Sequence, residues 1–178
     1  MHHTLPFYGR YQAHYLRAYM LLSPLTRIPL LGRFVKQKAN NYARRQHGAF
    51  ALNASEAESI IEASTWVAVG ECACRKTFHR CDAPVEAEIA VGFSKEIYAD
   101  AGDNFRKVPK AEAIELLRRC REAGLMSLMM KCRGHYYAIC NCCCVPYRLK
   151  RNYGIEYAIT RDTGIVSSYI HQVAGHRD

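Results

Sequence analysis

PKAEAIELLRRCREAGLMSLMMKCRGHYYAIC, residues 109–140, changes its hydrophobic period halfway, and that change sets the fold class. In the first half Ala113, Leu116, Leu117 and Cys120 recur at spacings of three and four, the pattern of one buried helix face. Pro109 suits the start of that helix and Gly124 its stop. In the second half Leu125 to Met130 and His135 to Ile139 read as two strands around an Arg133-Gly134 turn. Helix, turn and hairpin in this order make a winged-helix-like unit. The expected fold is α+β and helix-rich, built around that unit and a cysteine-ligated metal site.

The hairpin leads outward into Cys140-Asn141-Cys142-Cys143-Cys144, and upstream Cys72-Ala73-Cys74-Arg75 is followed by Cys81. Seven of the nine cysteines thus fall in two short loops. Core packing gives no reason for consecutive thiols, whereas two converging loops supply soft thiolate ligands. Such ligands select iron–sulfur clusters, zinc or Cu(I) over hard cations. The N-terminus shows no secretory signal pattern, so a reducing cytoplasm is expected, where structural disulfides are rare.

Structural zinc sites usually pair their ligands as C-x₂₋₄-C. Here the pairs are C-x-C and directly adjacent cysteines, which suits a wider [4Fe–4S] cube held by thiolates on different iron atoms. Zinc is the alternative cofactor, and redox thiols remain open. Cys74, Cys81, Cys140 and Cys142 are the first-choice ligands, with Cys72 and Cys143 next. Cys140 and Cys142 share one side of an extended chain, since alternate residues share a face. Arg75, Lys76, Arg80, Lys131, Arg133, Arg148 and Lys150 flank the loops and would offset negative charge; each taken singly reads more readily as solvated surface. Cys120 reads as a small buried hydrophobe and Cys132 as a reserve ligand or an ordinary thiol. His79 and His135 lie near the loops in sequence, where an isolated histidine is more often polar surface.

Cys72-x-Cys74-Arg75, Cys81-Asp82-x-Pro84, the helix ending at Ala123-Gly124-Leu125, and Ile139-Cys140-Asn141-Cys142-Cys143 follow one another over residues 55–148. This succession resembles the cysteine-rich module in front of ferredoxin-type domains in 4Fe–4S binding proteins of anaerobic microbes. The resemblance implies a cluster-binding, redox-linked role with no single defined reaction. Glu88 stands where those proteins often carry another cysteine. Their ferredoxin repeats have no counterpart in this sequence, so electrons are expected to pass to or from another protein.

Charge divides the chain. Residues 1–55 contain no Asp or Glu but carry Arg10, Arg17, Arg27, Arg33, Lys36, Lys38, Arg44 and Arg45, nearly all of the formal net charge of +9. Residues 1–50 are expected to be a basic, aromatic, helical arm and 51–178 the cluster-binding domain. Tyr8, Tyr11, Tyr15 and Tyr19 would line one face of a helix over 8–22, and a second helix would run from Arg33 to Gln46 and close at Gly48. Such an arm packs on its own domain or docks an acidic redox protein. In the second case Tyr11, Tyr15 and Tyr19 give apolar contact and Arg10, Arg17, Arg44 and Arg45 the steering. An anionic membrane surface and nucleic acid are the further alternatives, so a cytoplasmic protein peripheral to a membrane is also open.

A capping box from Ser55 to Glu58 should start a helix burying Ala57, Ile60, Ile61, Ser64 and Ala68. Pro84 suits the first turn of a short helix through Val91, residues 99–107 a loop, and Ile155–Thr160 with Ile165–Ile170 a last hairpin. No apolar run is long enough for a plain membrane span. No P-loop, G-x-G-x-x-G, nucleophile elbow or radical-SAM spacing is present. Three function classes follow: electron transfer or redox coupling, an enzyme using an incompletely ligated iron as Lewis acid, and a zinc-stabilised winged-helix-like module binding nucleic acid or protein. For the last, Lys110, Arg118, Arg119 and Arg121 would be the cations of a recognition helix. Whether the chain is an enzyme stays open.

Overall fold

The computed structural model describes residues 5–79, 81–92, 105–143, 145–155 and 159–175. Two helices open the chain, α1 (Leu5–Leu22) and α2 (Leu31–Gln46), joined by a 3₁₀ helix (Ser23–Arg27). Then come β1 (His47–Ala51), α3 (Ala54–Ala63), β2 (Val67–Glu71), α4 (Ala73–Phe78), β3 (Glu86–Val91) and β4 (Phe105–Lys107). They are followed by α5 (Lys110–Glu122), β5 (Met126–Cys132), β6 (His135–Cys142), α6 (Val145–Tyr153) and α7 (Ile165–Ala174). The fold is α+β.

The strands form one six-stranded sheet in the order β1-β5-β6-β3-β2-β4, and every pairing is antiparallel. α5 forms where the period predicts, and buries Ala113, Leu116, Leu117 and Cys120. The β5–β6 hairpin turns on Arg133 and Gly134, both at positive φ (49° and 89°), the backbone that a tight two-residue hairpin requires. This hairpin is the interior of the sheet, with β1 beside β5 and β3 beside β6.

α3, α5 and α7 pack together over the face that carries Val67, Val69, Ile89, Val91 and Ile139. Tyr169 of α7 is fully buried there, and its hydroxyl lies 2.6 Å from Ser64 Oγ. The opposite face is made of small residues, Ala68, Ala90 and Ala138, with Tyr137 and Cys132. Their Cα partnerships across three strands explain it: Ala68 pairs with Ala90, and Ala90 with Ala138.

Several elements differ from the sequence expectations. The helix started at Asn53 rather than at Ser55, because Asn53 accepts from the Glu56 amide while Glu56 reaches back to the Asn53 amide. It stops at Ala63, so Ala68 lies in β2 instead of the helix. Residues 86–91 form a strand, not a helix. Ala87 through Val91 are all buried, a continuous apolar run (with Glu88) that a strand covered on both faces accommodates. Residues 165–174 form a helix, not a strand: Ile165, Tyr169 and Val173 bury one face at a spacing of four. Residues 47–51 are an edge strand paired with β5, so the expected division at 50/51 falls inside β1. Residues 105–107 of the expected 99–107 loop are strand; 93–104 and 156–158 lie outside the described residues.

Candidate metal centre

β3 runs antiparallel to both β2 and β6, so β2 and β6 run in the same sense and finish at the same end of the sheet. Both cysteine loops follow those strand ends. Cys72 comes directly after β2, its amide donating to the Val85 carbonyl (2.8 Å), and Cys74 stands in the first turn of α4. Cys81 lies in the segment between α4 and β3, which starts at this same end. Cys140 and Cys142 close β6, and Cys143 follows.

The thiols fall into two groups. Cys142 Sγ donates to Cys140 Sγ at 3.0 Å, and Cys72 lies beside both Cys74 and Cys140, so Cys74, Cys72, Cys140 and Cys142 adjoin one another. Cys81 Sγ donates to Cys143 Sγ at 2.9 Å. Cys72, Cys140 and Cys142 are buried, Cys74 and Cys81 half-buried, and Cys143 exposed. No disulfide joins these six among the described residues, and Cys144 lies outside them.

Arg75 ties the two groups together. It is buried, and its guanidinium donates to the carbonyls of Pro84 and Asn141, joining the 81–85 segment to the end of β6. Burial opposes its charge. Negative charge at Cys72 and Cys140 and a hydrogen bond to Cys143 outweigh that, so its proton is held more tightly than usual. Its Nε is buried with no hydrogen-bond partner among the described residues. Asn141 is also fully buried. Its Oδ1 accepts from Ser127 Oγ at 2.8 Å and its Nδ2 donates to the Ala87 carbonyl at 3.0 Å, locking β6 between β5 and β3.

Hydrogen bonds from Cys140 and Cys74 outweigh burial and hold the Cys72 thiol far below its ordinary value. The same bond to Cys72, then burial, then charge on Cys142, Cys72 and Glu88 push Cys74 up. Bonds to Cys142 and Cys72, with burial, push Cys140 up. Glu88 is buried, and as the Cα partner of Cys140 it projects to the same face of the sheet.

The donor set fits a thiophilic metal, and the orphaned Arg75 Nε would find an acceptor in an anionic centre beside it. The spacing is tighter than ligation requires. Two thiolates on one zinc at its usual bond length stand about 3.8 Å apart. A cube spreads them further, over different iron atoms. Among the described residues no three of His, Cys, Asp and Glu surround one point as ligands of an ion do. Binding either group requires these side chains to rotate outward from mutual contact.

Two other cysteines stand apart. Cys120 is in the core under α5, and burial first raises its thiol. Cys132 ends β5 and pairs with His135, at the opposite end of β6 from Cys140. Five residues of strand separate them, about 17 Å. Burial pushes Cys132 up to about 11, and its Sγ is 4.0 Å from His47 Nε2. Neither Cys132 nor His135 is therefore placed to join the loops. His79 ends α4, exposed and at positive φ (45°). Sequence reasoning read Arg75 as flanking charge and did not single out Asn141 and Ser127. The available signals were a charged residue inside C-x-C-R and a polar residue at the centre of an otherwise apolar strand.

Comparison of the chain with protein-family models, with curated proteins and with solved structures finds no match.

Proposed function

We propose that the chain binds an iron–sulfur cluster, as a [4Fe–4S] centre, at this end of the sheet and serves in electron transfer with a partner protein. The observation that carries the reading is the meeting of two cysteine loops, distant in sequence, at the common end of β2 and β6. The contiguous group Cys72, Cys74, Cys140 and Cys142 is the proposed ligand set. Cys81 and Cys143 stand next to it on the exposed side. A bound cluster would supply one-electron redox chemistry. The chain's own residues give a buried, thiol-rich wall, and Arg75 gives positive charge beside it. The net charge of +9 favours an acidic redox protein as partner, since complementary charge speeds encounter. That partner would approach from the Cys81–Cys143 side, where the thiols reach solvent.

The zinc-stabilised, winged-helix-like, nucleic-acid reading is less well supported. The hairpin has a strand on each side and so offers no free wing. On α5, Arg118 pairs with Glu115 and Glu122, Arg121 with Glu58, and Lys110 donates to the Glu62 carbonyl. These cations are engaged within the protein. A Lewis-acid enzyme has no observation in its favour.

Metal and sulfide analysis of anaerobically purified protein tests the proposal. Iron and acid-labile sulfide near about four each per chain are expected for one cube. Stoichiometric zinc without sulfide overturns it.

A further inference from the structure

The turn between the first two helices is inverted in polarity. At the 3₁₀ helix Ser23 and Thr26 are both buried, 3% exposed, and satisfy their hydroxyls on backbone: Ser23 Oγ on the Tyr19 carbonyl, Thr26 Oγ1 on the Ser23 carbonyl at 2.7 Å. The apolar side chains beside them face out. Leu30 is 87% exposed, Leu21 79%, and Leu22, Ile28, Leu31 and Phe34 are exposed too. A water-facing turn has the opposite arrangement.

The turn is also built rigidly. Gly32 packs against the Thr26 carbonyl so closely that any Cβ there would clash, and Leu30 is held at positive φ (62°), a backbone that leucine seldom adopts. Arg27 lies over the Tyr153 ring at 5.0 Å and reaches the Asn152 carbonyl, fixing the turn to α6. The exposed leucines are thus displayed by a defined backbone. Around them stand exposed Arg17, Arg33 and Lys38, in a third of the chain that holds no acidic residue before Glu56.

We propose that this turn is an interfacial anchor that inserts Leu21, Leu22, Ile28, Leu30, Leu31 and Phe34 into the surface of an anionic lipid membrane, with Arg17, Arg33 and Lys38 on the headgroups. Buried apolar area plus attraction of cations to anionic lipid is the combination that holds a protein in the plane of the interface. Phosphatidylserine-type headgroups supply the negative charge that the arm itself lacks. Five of the six inserting side chains are aliphatic, and leucine is under-represented among the residues that carry protein–protein binding energy, which favours lipid. No described helix is long and apolar enough to cross a membrane. The inference does not depend on the metal centre.

Flotation of the full chain with vesicles tests it, using one part phosphatidylserine to two parts phosphatidylcholine against phosphatidylcholine alone. Binding to the anionic vesicles is expected, weakening as salt rises. The double variant Leu21→Asp, Leu30→Asp should bind at least about tenfold less, the loss expected for withdrawing buried leucines. Its melting temperature should hold, since both side chains are exposed and aspartate tolerates the backbone at position 30. Arg17→Gln with Arg33→Gln should remove the preference for anionic vesicles. The proposal is overturned if the chain does not float with anionic vesicles at low salt, or if the Leu21→Asp, Leu30→Asp protein floats equally well. It is also overturned if the patch instead joins two copies of the chain, or captures only an acidic protein.

Discussion

Arg75→Met tests whether one buried guanidinium assembles the cysteine end of the sheet. Arg75 holds the carbonyls of Pro84 and Asn141 and sits beside the thiols of both groups. Methionine keeps much of the side chain's volume but offers no donor, so the buried Asn141 carbonyl and the part-buried Pro84 carbonyl both lose their bond. Hydrogen bonds to a charged group contribute about 1.5–3 kcal/mol each, so the variant should lose about 3–6 kcal/mol. For a chain of this size that lowers the melting temperature on the order of 10 °C. The loss should be visible in metal-free protein by thermal circular dichroism, because the bonds do not involve metal. Iron and sulfide content after anaerobic reconstitution should fall as well, since the 81–85 segment is no longer tied to β6. Arg75→Lys retains the charge without the two-pronged geometry and should fall between the two. An Arg75→Met protein with unchanged melting temperature and full cluster content would refute the reasoning.

Cys72→Ser should abolish cluster retention, whereas Cys81→Ser should keep most of it, measured as iron and sulfide per chain. Loss in Cys81→Ser with retention in Cys72→Ser would move the ligand set to Cys74, Cys81, Cys140 and Cys142. Cys120→Ser should leave metal content untouched and cost about 1–3 kcal/mol, because it places a hydroxyl in the core under α5. For His47, burial, reinforced by the charge of Arg133, holds the ring below its ordinary value of 6.5. The folded state therefore favours the neutral ring. Its contribution to stability is full above that value and is lost as the pH falls below it toward the depressed one. Urea unfolding across that range should show the loss, and His47→Gln should flatten it; a wild-type profile that stays flat there rules the mechanism out.

The sequence by itself determined the elements whose signals are local. α5 follows from Ala113, Leu116, Leu117 and Cys120 at helical spacing, and the hairpin from the turn at Arg133-Gly134. It also showed that the thiols belong together, because consecutive cysteines have no packing reason. Local signals misled where burial on two sides or a mixed pattern hid the period. Apart from Glu88, Ala87–Val91 is apolar and reads as well as helix, while the β-branched start of α7 reads as strand until Tyr169 and Val173 find their core. Only the tertiary structure decided which thiols touch. That depends on β3 standing between β2 and β6, a long-range pairing with no trace in the residues beside the cysteines. It likewise decided that Arg75 turns inward and that Leu30 turns outward. A side chain's direction follows from what the rest of the chain has already buried, and spacing along one segment does not carry that information.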